Sequence, residues 1–158
     1  VIVLCEVYSK MLIHFWGTRG SLPYSVRTEE IREKIRLSLC HALEHGLSRK
    51  EEIDAFIDNN LPFSVKYGFG CNTPCVEIRG GPDFVICDAG TGLRDFGNYV
   101  MQHFTPPRVF HIFMSHLHWD HIQGFPFFFP AFVQGNTVHI YVAHSELESA
   151  FMKQQEAP

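Results

Sequence analysis

Three imidazoles and one carboxylate stand within seven positions of one short stretch, SHLHWDH, residues 115–121. On extended backbone, side chains at i and i+2 point to the same side, so His116 and His118 present two imidazoles to one metal ion. Asp120 and His121 follow where the chain is already turning, and they are placed to face a second ion beside the first. Mixed imidazole and carboxylate donors suit Zn²⁺, with Mn²⁺ or Fe²⁺ as alternatives. Of the ten histidines, His14, His41, His45, His103 and His111 lack ligand-like spacing. His139, inside a strand pattern, and His144, just after it, are also read as structural.

Something must deliver that stretch to one place. VFHIFMS (109–115) has the apolar density of a buried strand and runs straight into the histidines. FVICD (84–88) is a second such strand, ending on Asp88 and followed by the loop DAGTG (88–92). Leu93, Phe96, Val100 and Phe104 then recur at helical spacing until Pro106-Pro107 stops the run. LIHFW (12–16), PCVEIR (74–79) and VHIYV (138–142) complete the strand set. Between the first two lies a helical hairpin, 28–60. Its first helix is capped by Thr28 and carries Ile31, Ile35, Leu39 and Leu43, with Gly46 as the stop. Its second follows an S-x-x-E capping box at Ser48 and Glu51. Ser145 with Glu148 caps a last helix. Alternating strands and helices indicate a mixed α/β layer architecture.

Bulk properties narrow the function. A length of 158 residues suits one domain, and 46% hydrophobic with 19% charged residues argues against disorder. A net charge of −4 leaves no electrostatic footprint for nucleic acid or an anionic membrane, while a small phosphorylated substrate stays open. Five cysteines without a regular framework read as free thiols in a reducing cytoplasm. Cys71 and Cys75, spaced C-x3-C with no second pair, are a poor zinc signature. VIVLCEV at the start has neither the length of a membrane span nor the basic region of a signal peptide. Residues 1–10 read as an extension ahead of Met11. GTRGS (17–21) is a glycine turn whose amides suit a phosphate, though it matches no nucleotide-binding loop. The run FPFFFPAF (125–132) reads as core plus pocket wall, any exposed remainder being a candidate homodimer surface.

HLHWDH resembles the H-x-H-x-D-H signature of the metallo-β-lactamase superfamily. In order, FWGTRGSLP (15–23), CNTPCVEIR (71–79), CDAGTGLR (87–94) and SHLHWDHIQGFPFF (115–128) resemble the blocks of its cyclic-phosphodiesterase-like members. The resemblance implies an αββα sandwich, of which 11–158 looks like the N-terminal half. It implies two divalent ions, the first on His116 and His118 and the second on Asp120 and His121. Asp120 would also orient a metal-bound water that attacks the substrate as hydroxide. Asp88 would anchor the metal loop through hydrogen bonds. Thr18, Arg19, Ser21, Asn72 and Thr73, from the first two loops, become candidate substrate contacts. Cys71 departs from the family, where glycine is common.

A catalytic zinc usually has three protein ligands and water, and His116 and His118 supply two. In the family a third histidine, a bridging aspartate and a final histidine come later, so the expectation is a longer natural protein. The reading is a phosphodiester hydrolase acting on a cyclic nucleotide or cyclic ribose phosphate. The alternatives are a non-catalytic module, or a hydrolase of thioesters, β-lactams or RNA.

Overall fold

The computed structural model describes residues 11–143 and 146–155. His144, Ser145, residues 1–10 and the final three positions, which carried expectations above, lie outside the described residues. The chain divides into two compact units, one comprising residues up to Pro23 and from Cys71 onward, the other Tyr24–Gly70.

In the larger unit, five strands make one mixed sheet: β1 (Leu12–Gly17), β2 (Cys75–Arg79), β3 (Phe84–Cys87), β4 (Val109–Phe113) and β5 (Thr137–Tyr141). They lie in sequence order, β1–β2–β3 antiparallel and β3–β4–β5 parallel. The β2–β3 pair closes through the Gly80-Gly81-Pro82 turn, whereas the parallel pair needs a crossover. That crossover is α4 (Gly92–His103), whose Leu93, Phe96, Gly97 and Val100 are buried. Short one-turn α5 (Trp119–Ile122) follows the histidine stretch, and α6 (Leu147–Gln155) comes last.

One face of the sheet holds the core. Ile86, Phe110 and Ile112 have no exposed surface, and Phe96 of α4 lies against Phe84, Phe110 and Phe128 at ring distances of 5.6, 6.3 and 5.9 Å. Each such side chain contributes about 1.5–3 kcal/mol on burial. Gly97 interrupts the helical pattern for a packing reason: a Cβ there would press on Phe128 and Pro130 at 3.0 and 3.1 Å. The phenylalanine run therefore splits. Phe128 is core, whereas Phe127, Phe129 and Phe132 are exposed. Glu77 is buried among these apolar residues with both a donor and a counter-charge: Trp16 Nε1–H donates to it at 2.9 Å and Arg79 pairs with it at 2.8 Å.

The smaller unit contains α1 (Thr28–Glu44), α2 (Ile53–Asn60) and one-turn α3 (Phe63–Lys66). Both expected caps shift. Arg27, not Thr28, is the cap residue of α1, with its N–H donated to Glu30 at 2.9 Å. The second helix opens as a 3₁₀ turn at Lys50–Glu52 with no side-chain cap, rather than on Ser48. Gly46 ends α1 with φ +66°, a conformation open to glycine without strain. The apolar residues Ile31, Ile35, Leu39 and Leu43 form the helix but face outward. Lys34, Leu37, Ser38 and His41 are half-buried, and Lys34 Nζ donates to the carbonyls of Ser64 and Tyr67 at 2.5 and 2.6 Å. No helix among the described residues is long and apolar enough to cross a membrane.

Candidate metal centre

The C-terminal ends of β3 and β4 are parallel neighbours, so Asp88 and the stretch beginning at Ser115 emerge side by side. Asp88 sits at φ +64°, which aspartate tolerates better than most residues. Its N–H donates to Phe113 O at 2.9 Å, and its carboxylate points across to the histidine loop. Oδ1 accepts the Ser115 N–H at 2.8 Å and the Ser115 hydroxyl at 2.8 Å. Oδ2 lies 3.0 Å from His121 Nδ1. Asp88 thus holds both ends of the 115–121 loop by hydrogen bonds.

The four expected ligands are near one another. The ring of His116 lies 4.5 Å from that of His118 and 4.0 Å from that of His121. His121 Nε2 faces Asp120 Oδ2 at 3.4 Å. His121 thus has a carboxylate oxygen near each ring nitrogen, and a carboxylate on one nitrogen is the arrangement that supports metal ligation by the other. In kind, then, the donor set fits a divalent ion. In position it is incomplete: no three His, Cys, Asp or Glu groups gather as a metal-binding set among the described residues. His118 is exposed and His116 half-buried.

Two other loops brace this one. Ser21, at φ +47° in the GTRGS turn, donates its N–H to Asp120 Oδ2 at 2.9 Å. Backbone bonds from Ala89 N–H to His121 O (2.8 Å) and Gly124 N–H to Ala89 O (2.9 Å) lock the DAGTG loop to the far end of the histidine stretch.

The candidate substrate contacts divide. The amides of Thr18 and Arg19 both donate to Asn72 O, at 3.1 and 2.9 Å, so with Ser21 committed to Asp120 these three amides of the turn are engaged within the protein. A phosphate cradle built on those amides is therefore not what the loop forms. Thr73 is fully buried, its hydroxyl taking the Thr91 N–H at 2.8 Å and the Gln123 amide at 3.1 Å. Asn72 donates to Asp95 at 2.6 Å. Both tie loops together; Thr73 has no exposed surface for a substrate to reach, while Asn72 is half-buried. Thr18 and Ser21 are exposed and Arg19 half-buried. Ser115, which joins Asp88 to the loop, carries no motif of its own; its place between a buried strand and the first histidine is its only signal in the sequence.

The cysteines differ sharply. Cys75 has no exposed surface, and burial, followed by the nearby Glu77 and Asp88, drives its thiol far above the ordinary range; burial and Asp88 also raise Cys87. Cys71 is exposed. The thiolate is the reactive form. At pH 8 an aromatic disulfide reagent should label Cys71 within minutes and Cys75 only after unfolding in guanidinium. Peptide mass mapping reads this directly, and rapid native labelling of Cys75 would contradict its burial.

The chain matches no protein-family model, no curated protein and no solved structure.

Proposed function

We propose that the chain is a metal-dependent hydrolase of phosphodiester bonds, with cyclic nucleotides or cyclic ribose phosphates first among substrates. The observation that carries the metal part is the His121 environment: Nδ1 held by Asp88 at 3.0 Å and Nε2 set 3.4 Å from Asp120. A carboxylate that fixes the imidazole tautomer is the usual support of a metal-ligating histidine. The preference for phosphodiesters rests on the likeness of four sequence blocks to cyclic-phosphodiesterase-like hydrolases. The finer fold reading belongs to the same proposal, namely an αββα sandwich of which this sheet and its helices make the first half.

Divalent ions, zinc before manganese or iron, would supply Lewis acidity to water and to the substrate's phosphoryl oxygens. His116 and His118 would hold one ion, and Asp120 with His121 the other. The protein's own part is to keep these donors at fixed spacing. Asp88 holds Ser115 and His121, and the Ser21 amide directs one oxygen of Asp120. Free thiols at Cys40, Cys71, Cys75 and Cys87 suit a reducing cytoplasm. A second reading, a non-catalytic module, draws on the lack of a three-ligand group among the described residues.

The test is cleavage of a chromogenic bis-aryl phosphodiester with added Zn²⁺ or Mn²⁺. Activity should vanish with chelator and fall more than about a hundredfold in His118→Ala, the upper end of what outer partners of a metal site cost. The melting temperature of that variant should stay within a degree or two, because His118 is exposed. Hydrolysis of thioesters or lactams without phosphodiester cleavage would replace the substrate class. No hydrolysis and no bound metal would establish the module.

A further inference from the structure

At the starts of β3 and β4, the end of these strands away from the histidine stretch, a cavity of about 300 Å³ opens on the α4 side of the sheet. Its apolar walls are Phe84, Tyr99 and Phe104, and its charged lining includes Arg79, Asp83 and Arg108. The three rings pack on one another, Phe84 against Phe104 at 5.0 Å and Tyr99 against Phe104 at 5.9 Å, so the walls are held by the core. The two guanidiniums differ in what they hold. Arg79 is committed, since Nε and Nη2 each meet the Glu77 carboxylate at 2.8 Å. Arg108 is fixed at its backbone, where its N–H donates to Asn136 Oδ1 and its carbonyl accepts from the Thr137 N–H, each at 2.9 Å. Its half-buried side chain makes no hydrogen bond or ion pair among the described residues. The guanidinium lies over the Phe104 ring at 5.6 Å, with Nε shut away from solvent and without an acceptor. Buried polar groups nearly always have partners, so a charged donor left without one beside a cavity points to a ligand.

We propose that this cavity binds a small aromatic carboxylate, with its ring among Phe84, Tyr99 and Phe104 and its carboxylate on Arg108. The planar guanidinium fork matches a carboxylate through two parallel hydrogen bonds. The rings favour an aromatic body through edge and face contacts. Size and charge narrow the class further. A volume of about 300 Å³ is at the lower end for small-molecule sites, which suits a single ring better than a nucleotide. Glu77 is met by Arg79, and Asp83 faces His111 at 3.4 Å, so Arg108 is the cation of this cavity that lacks a carboxylate. One carboxylate balances it. A phosphate dianion would instead bring a second negative charge close to Glu77 and Asp83, which repel it. The site is separate from the metal centre: Arg108 precedes β4 and Ser115 follows it, roughly 23 Å of extended chain apart. A second sheet laid on the opposite face would leave the α4 side open. This inference does not depend on the metal chemistry.

Nuclear magnetic resonance titration of the whole chain with benzoate, with its neutral analogue benzamide and with inorganic phosphate tests this. Benzoate should shift the Arg108 Nε–H and the Tyr99 ring signals saturably, with a dissociation constant on the order of 1 mM, in keeping with so small a ligand. The His116 and His118 ring signals should stay in place, which separates this site from carboxylate held at the metal centre. Benzamide and phosphate should each bind at least about tenfold more weakly, by the loss of one charge-assisted pair and by repulsion respectively. Arg108→Gln should weaken benzoate at least tenfold while the melting temperature stays within a degree or two, since no hydrogen bond or ion pair is lost. Arg36→Gln, at an exposed arginine of α1 paired with Glu33, is the control for general attraction of anions and should change nothing. No saturable shift at Arg108 by about 20 mM benzoate, equal affinity for benzamide or phosphate, or unchanged binding in Arg108→Gln overturns the assignment.

Discussion

Asp88→Ala should lower stability by about 3 kcal/mol and weaken zinc binding ten- to a hundredfold. The first figure comes from what the carboxylate holds. It receives the Ser115 N–H, the Ser115 hydroxyl and His121 Nδ1, all within 3.0 Å, in a nearly buried place. Leaving such a donor without a partner costs about 1–3 kcal/mol. Alanine also tolerates φ +64° less well than aspartate, which adds a further increment of about 1 kcal/mol. The second figure is the usual cost of removing the partner of a ligating histidine. Companion variants separate the two causes. Asp88→Gly relieves the backbone but not the lost acceptors, so it should recover about a third of the stability. Asp88→Asn keeps the backbone preference and one acceptor oxygen, so it should melt nearest the wild type while still binding zinc weakly. Thermal melts and zinc titration calorimetry read the two effects. Equal zinc affinity in Asp88→Asn and the wild type would remove Asp88 from the metal chemistry and leave it a purely structural clamp.

Elements whose signal is local were legible in the sequence. Leu93, Phe96 and Val100 announce α4 by spacing alone and are buried as that spacing demands. The strand at 109–113 and its handover to the histidines could be placed because apolar runs and histidine clusters are both local. Periodicity carries no information about what lies opposite, however. Ile31, Ile35, Leu39 and Leu43 make a helix but stay exposed, while the half-buried side carries Leu37 and Lys34, which reaches the carbonyls of Ser64 and Tyr67 some thirty residues on. The same limit explains Thr73. Its hydroxyl is claimed by Thr91, 18 positions later, and by Gln123, 50 positions later. Nothing near Thr73 in the chain distinguishes such a clamp from a residue open to substrate. Likewise the amides of GTRGS have a phosphate-binding pattern until Asn72 and Asp120 arrive to accept from them.

Gly124→Ala should be strongly damaging for so small a substitution, although the residue carries no chemistry. Its φ of −82° suits any amino acid, so backbone strain is not the cause. The cause is space. A Cβ on Gly124 would stand 1.9 Å from Gly90 O and 2.6 Å from Gly90 C, a collision with backbone that no rotamer change relieves. The loops must separate by an ångström or more. That movement breaks the bonds from Ala89 N–H to His121 O and from Gly124 N–H to Ala89 O. Overpacking costs about 1–3 kcal/mol and two lost hydrogen bonds about 1 kcal/mol each. A total near 4 kcal/mol corresponds to a melting point lower by roughly 10–15 °C in a chain of this size. Gly20→Ala is the matched control. It lies in the turn that donates to Asp120, meets nothing within 4 Å, and should change the melting point by no more than a degree or two. The spacing of His121 from Asp88 depends on the same two bonds, so Gly124→Ala should lose zinc affinity along with stability. If it melts with the wild type, the close approach of the two loops is not what holds the histidine stretch in place.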